Sequence, residues 1–63
     1  MTVFKFKIFF SVEDTEPQYR YVAAETEDEA IEKLENHYSK LSKEGYAKPV
    51  YYTNPTVEIE NVI

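Results

Sequence analysis

Three patterns in this 63-residue sequence predict a small α+β fold. Residues 2–12 alternate with a period of two, residues 26–44 repeat with the helical period behind a capping signal, and residues 56–63 alternate again. Two strands before a helix and at least one after it give the order β-β-α-β(-β). The sheet is antiparallel with three strands, or four if a short aromatic run before the last one pairs as well. The helix lies on one face of this sheet, making a two-layer sandwich. There are no internal repeats and no linker long enough to divide domains, so residues 1–63 read as a single domain with one small core.

In the first strand Phe4, Phe6, Ile8, Phe10 and Val12 point one way, and Val3, Lys5, Lys7, Phe9 and Ser11 the other. A wholly apolar face built from aromatic and β-branched residues must be covered, which places this strand at the centre of the sheet. Glu13-Asp14-Thr15-Glu16-Pro17 is a polar run closed by a proline, which cannot donate to a ladder, so it reads as a hairpin connection. Tyr19 to Ala24 returns as an antiparallel second strand. Val22 and Ala24 are read as core-facing, because small residues suit the ground beneath a helix N-terminus. That choice leaves Tyr19 and Tyr21 on the open face with Phe9.

The helix is predicted over residues 27–44. Thr26 is a good N-cap, and Glu29 three residues on completes a capping box in which each side chain satisfies the other's backbone N–H. At 100° per residue Ala30, Ile31, Leu34, Tyr38 and Leu41 fall within an arc of about 100°, the width of a core-facing stripe. Asp28, Glu32 and Glu35 share one flank, Lys33 and Lys40 the other, and Glu29 to Lys33 has the favourable i,i+4 order. Gly45 suits the left-handed position that ends a helix, with Tyr46 folding back toward Leu41. Val50-Tyr51-Tyr52-Thr53, between Pro49 and Asn54-Pro55, reads as a short edge strand or an extended loop. In the last strand Val57, Ile59 and Ile63 share one face and Glu58, Glu60 and Val62 the other. A right-handed crossover through the helix lays this strand beside the first, in the order 2-1-3.

Composition narrows the function classes. There is no cysteine, hence no disulfide and no thiolate metal site, which fits a cytoplasmic protein. No apolar run reaches 18 residues, so no membrane association through a spanning helix is expected, and the alternating N-terminal residues do not read as a signal peptide. Glu25, Glu27, Asp28, Glu29, Glu32 and Glu35 stand against Lys33 alone, so residues 25–35 hold the whole formal net charge of −5. Without a basic stripe, no direct nucleic-acid binding is expected.

No arrangement of residues argues for catalysis. His37, the one histidine, borders the apolar stripe with no acid at i±4, which suits a partly exposed packing residue. Glu13, Asp14 and Glu16 share a loop, but it has no glycine and no alternating calcium-ligand pattern, so a solvated turn is expected and no metal. Neither a phosphate loop nor a nucleophile elbow is present, and nothing marks a cleft for paired carboxylates. No cofactor and no enzymatic activity are therefore expected.

Two surfaces remain. Glu25, Asp28, Glu32 and Glu35 step by three or four residues and could line their carboxylates along the helix, as small acidic phage inhibitors do when they imitate nucleic acid before a basic protein. The plainer account is that acids near a helix N-terminus and lysines near its C-terminus complement the helix dipole. Val3, Phe9, Tyr19 and Tyr21 form the other surface, an aromatic patch on the open sheet face flanked by Lys5, Lys7 and Arg20 or opposed by Glu58 and Glu60. Such patches are typical of protein interfaces, although cross-strand Tyr/Lys pairs also stabilise a wet face.

The run Tyr21-Val22-Ala23-Ala24-Glu25-Thr26-Glu27-Asp28-Glu29-Ala30 resembles the strand-to-helix junction of small phage and prophage proteins of unassigned function. The resemblance implies a short accessory protein and carries no active-site residues. The expectation is a non-enzymatic module that binds a protein partner, self-association as a homodimer being the simplest case. The alternative is an acidic nucleic-acid mimic.

Overall fold

The computed structural model describes residues 1–13 and 16–60. Strands β1 (Thr2–Phe9), β2 (Gln18–Ala24), β3 (Tyr51–Tyr52) and β4 (Thr56–Ile59) form one antiparallel sheet, and helix α1 (Glu27–Lys43) follows β2. β1 is central. It pairs with β2 along one side, from Thr2↔Ala24 to Ile8↔Gln18. Its other side is shared: Ile8 and Phe9 face Tyr52 and Tyr51, while Val3, Phe4 and Lys5 face Ile59, Val57 and Thr56. Hydrogen bonds from Val50 N–H to Phe9 C=O (2.8 Å) and from Thr53 N–H to Lys7 C=O (3.0 Å) extend the β3 pairing. β3 and β4 are thus two pieces of one lane, interrupted at Asn54-Pro55, where proline has no N–H to offer. The expected order 2-1-3 holds, with the third lane split in two.

The core lies between β1, β2 and α1. Phe4, Phe6, Ile8, Ala24, Ala30, Leu34 and Tyr38 are buried, and Phe10, Val22, Ile31, Leu41 and Tyr52 pack against them. This is the even face of β1 and the helix stripe expected from the periodicities, with Val22 and Ala24 inward as read. The expected strand over residues 2–12 is too long at its C-terminal end. Its ladder stops at Phe9, the Ser11 hydroxyl accepts the Glu13 N–H (3.2 Å), and Val12 is left 78% exposed rather than in the core. Asp14 and Thr15 of the hairpin connection, and Val62 and Ile63 of the last strand, lie outside the described residues.

The helix ends follow their local chemistry. The Thr26 hydroxyl accepts the Glu29 N–H (3.2 Å), but the Glu29 carboxylate reaches past the cap residue to the Glu25 N–H (3.2 Å), so the capping box is offset by one. At the other end Gly45 has φ +95°. Gly45 N–H bonds to Ser42 C=O and Tyr46 N–H to Leu41 C=O, both at 3.1 Å. This double closure satisfies carbonyls that the helix itself leaves open.

One expectation for β4 is corrected. Val57 and Ile59 were expected on one face, yet Val57 stands opposite core-facing Phe4 and Ile59 opposite Val3 on the open side. The register slips between Val3 and Phe4, so Glu58 is an extra residue in the ladder and the bulge reverses the parity beyond it.

The fold makes a paired prediction. Phe6→Ala, at a fully buried site, should cost about 3–5 kcal/mol and leave little or no folded protein, because a domain this small has only about 5 kcal/mol to lose. Val12→Ala should change stability by less than about 0.5 kcal/mol. Urea denaturation followed by circular dichroism measures both. Equal losses at the two positions would contradict the core described here.

Candidate interaction face

The parity of β1 decides what the second sheet face carries. With Phe4, Phe6 and Ile8 turned to the helix, Val3, Lys5, Lys7 and Phe9 stand on the side that α1 does not cover. Their partners Ala23, Tyr21 and Tyr19 on β2 stand beside them. Tyr19 is 43% exposed and Tyr21 58% exposed. Val3, Phe9, Tyr19 and Tyr21, singled out in the sequence, are therefore brought together. Arg20, expected on the rim, is not among them: it stands opposite Phe6, on the helix side of the sheet.

Two further residues belong to the patch. Tyr51 lies directly across from Phe9, their rings stacked at 4.5 Å between centroids and 12° between planes, and it remains 44% exposed. Ile59, brought over by the bulge, is 53% exposed next to Val3. Neither was legible in the sequence, because both depend on how a broken strand registers with one 42 to 56 residues earlier. Lys5 and Lys7 sit in the middle of the face, with the Lys5 ammonium 4.6 Å from the Tyr19 ring centroid.

The β2 edge of the sheet carries a different device. The Lys7 and Phe9 carbonyls accept bonds from the β3 side, so the alternation of an antiparallel ladder turns the backbone groups of Tyr19, Tyr21 and Ala23 outward from β2. Two of these three carbonyls already hold cations. The Arg20 guanidinium donates to Tyr19 C=O (3.1 Å) and the Lys33 ammonium to Ala23 C=O (2.8 Å). Lys33 also pairs with Glu29 at 3.3 Å, tying the helix to the strand edge. Charges placed on a strand edge discourage a further strand from adding there.

The acidic line is less continuous than its spacing suggests. Glu25 precedes the N-cap, so it stands outside the helix, with its N–H taken by Glu29. The Glu35 carboxylate accepts the Tyr52 hydroxyl at 2.5 Å, bracing α1 against β3. Asp28 and Glu32 remain exposed on the outer flank.

The structure also contains a cleft that nothing in the sequence marked. Leu34, Glu35, Tyr38 and Ser39 of the helix face Pro49 and Tyr52 across a half-open space of about 430 Å³. Its one carboxylate is the engaged Glu35. The Tyr38 hydroxyl is buried with no hydrogen-bond partner among the described residues. His37 is exposed, its ring edge-on to Tyr38 at 5.1 Å, as a helix-border packing residue should be. Among the described residues no three His, Cys, Asp or Glu side chains converge, and no helix is long and apolar enough to cross a membrane.

Comparison with protein-family models, with curated proteins and with solved structures finds no match to this chain. The face must be read from its own chemistry.

Two pKa shifts accompany the contacts around the helix. Donation to Glu35, helped by burial and by the carboxylate charge, raises the Tyr52 hydroxyl above its ordinary 10.0. The Glu25 N–H, then Lys33, hold Glu29 below its ordinary 4.5. A raised phenol contributes stability that is complete below pH 10 and is lost as pH rises through the folded-state value; a depressed carboxylate contributes stability that is lost as pH falls through its own. The stability gap between wild type and Tyr52→Phe should therefore hold at neutral pH and close above pH 10. The gap to Glu29→Gln should close as pH falls below 4.5. Urea titrations across pH measure both, and gaps that do not change with pH would rule out these two contacts as the cause.

Proposed function

We propose that this chain is a non-enzymatic protein-binding module that self-associates through the open face of its sheet. The observation that carries the reading is the segregation of the two faces. One face is buried under α1, while the other presents Val3, Phe9, Tyr19, Tyr21, Tyr51 and Ile59 from all four strands on one surface, around Lys5 and Lys7. Exposed tyrosine and phenylalanine are enriched at protein interfaces, and the two lysines between them are the charges such an interface has to neutralise. A chain of this size also gains stability from burying more apolar surface in a second copy. Arg20 and Lys33 disfavour strand addition at the β2 edge, and the open face carries the exposed aromatic side chains Tyr19, Tyr21 and Tyr51. The acidic mimic is the weaker reading, since Glu35 is committed to Tyr52 and Glu25 stands off the helix. Two carboxylates do not trace a phosphate backbone.

Sedimentation equilibrium tests the proposal. Wild type should show a weight-average mass above the monomer at about 0.1–1 mM, a weak association of the small-interface kind. Tyr21→Glu, at an exposed position, should stay monomeric with an unchanged thermal midpoint. Phe9→Lys should do the same at some cost in stability, because it also removes the Tyr51 stack. A wild type that remains strictly monomeric at about 1 mM sinks the reading.

A further inference from the structure

We infer that the partner on the open face is the acidic outer flank of the helix of a second copy, so that copies stack head to tail. The inference rests on the self-association proposed above and deepens it by naming the surface that does the docking.

Lys5 and Lys7 stand side by side on the open face, and among the described residues the ion pair formed is Glu29–Lys33, on the other layer. Both lysines line a shallow hollow of about 330 Å³ with Tyr19, Thr53, Asn54 and Thr56. Every side chain in that lining offers a hydrogen-bond donor, and none is a carboxylate. The hollow opens where the third lane breaks at Asn54-Pro55. Neutralising the two ammonium groups there requires an anionic oxygen.

Face-to-face pairing about a two-fold axis fails this requirement. It would place four ammonium groups from two copies in one interface, and like charges set opposite one another are repulsive. The chain supplies suitable carboxylates elsewhere. Asp28 and Glu32 are exposed on the helix, and neither forms a salt bridge among the described residues. Their spacing also matches. Positions i and i+4 on a helix lie about 6 Å apart along the axis, and positions i and i+2 on a strand about 7 Å apart. Two carboxylates at one spacing can therefore meet two ammoniums at the other, with the Tyr19 and Tyr21 hydroxyls and the threonines as additional donors.

Geometry then sets the form of the assembly. The helix flank and the open face lie on opposite layers of a molecule whose shortest dimension is 16 Å, so one contact uses different surfaces on the two copies. Such a contact is heterologous and leaves a free face at one end and a free helix at the other. Each sheet inside the stack acquires a helix on both faces, an ordinary layered arrangement. The net charge of −5 on every copy opposes growth, which keeps the stacks short.

A mixing experiment tests this. One variant, Lys5→Gln/Lys7→Gln, keeps the helix flank and loses the face. The other, Asp28→Asn/Glu32→Gln, keeps the face and loses the flank. Each alone should associate about tenfold more weakly than wild type. Mixed in equal amounts they should form a 1:1 heterodimer that grows no further in sedimentation velocity. A flank variant that self-associates like wild type, or a mixture that shows no heterodimer, overturns the head-to-tail contact while leaving self-association standing. A wild type that is monomeric throughout removes both readings. Dilution of ¹⁵N-labelled wild type gives a measurement that needs no variant. Amide shifts should move with concentration at residues 5–7 and also at residues 28–32. Movement confined to the sheet overturns the inference.

Discussion

The burial of Phe4, Phe6 and Ile8 beneath α1 is the contact on which the rest of this molecule depends. Phe6 and Ile8 are wholly excluded from solvent, and both belong to the central strand. Because side chains alternate along an unbulged strand such as β1, this one choice fixes the facing of every residue that β1 pairs with. Val3, Lys5, Lys7 and Phe9 go to the open side, and Ala23, Tyr21 and Tyr19 follow them across the ladder. The same parity turns the outer backbone groups of β2 toward solvent at those three residues. The patch on the open face and the exposed carbonyls of the free edge are thus consequences of the core. A slip of one residue in β1 would exchange the lysines with the phenylalanines.

The third lane shows how local chemistry limits that order. A single continuous strand from Tyr51 to Ile59 would give the sheet three full lanes. Pro55 prevents it by removing an N–H, and the slip at Val3/Phe4 then displaces Glu58 from the ladder. The two irregularities shape the surface: the break leaves the hollow beside Lys5 and Lys7, and the slip sends Ile59 to the open side. Val57 stays opposite Phe4 yet is half exposed: α1 is braced against β3 through Glu35 and Tyr52, while Val57 of β4 is not among the residues packed on the core.

Most of the fold was legible because its strongest signals are local. The alternation of residues 2–9, the Thr26 cap, the stripe from Ala30 to Leu41 and the glycine stop at Gly45 each depend on residues within a few positions of one another. The open patch was legible in part, since Val3, Phe9, Tyr19 and Tyr21 follow from the parity of two strands. Tyr51 and Ile59 were not, because a two-residue strand and a bulge are settled by partners far away in the chain. Val12 departs from the core face for a related reason. Its periodicity continues that of β1, but the turn begun at Ser11 ends the pairing before periodicity can act. Lys33 to Ala23 and Tyr52 to Glu35 are long-range contacts between polar groups, for which no sequence period exists.

The separation of charge between the two layers needs no cause beyond folding. Glu27, Asp28 and Glu29 occupy the first turn of α1, where the helix dipole favours them, and the lysines of β1 occupy the side that a hydrophobic core rejects. Acid and base are thereby placed on opposite outer surfaces of a thin molecule. A single helix can cover only one side of a sheet, so the uncovered side keeps both its aromatic rings and its ammonium groups. Covering it requires a surface able to meet lysines as well as tyrosines. An apolar helix face would strand the ammoniums, and a second copy of the same sheet face would repel them. An exposed helix flank bearing carboxylates one turn apart meets both needs, and every copy of the chain carries one.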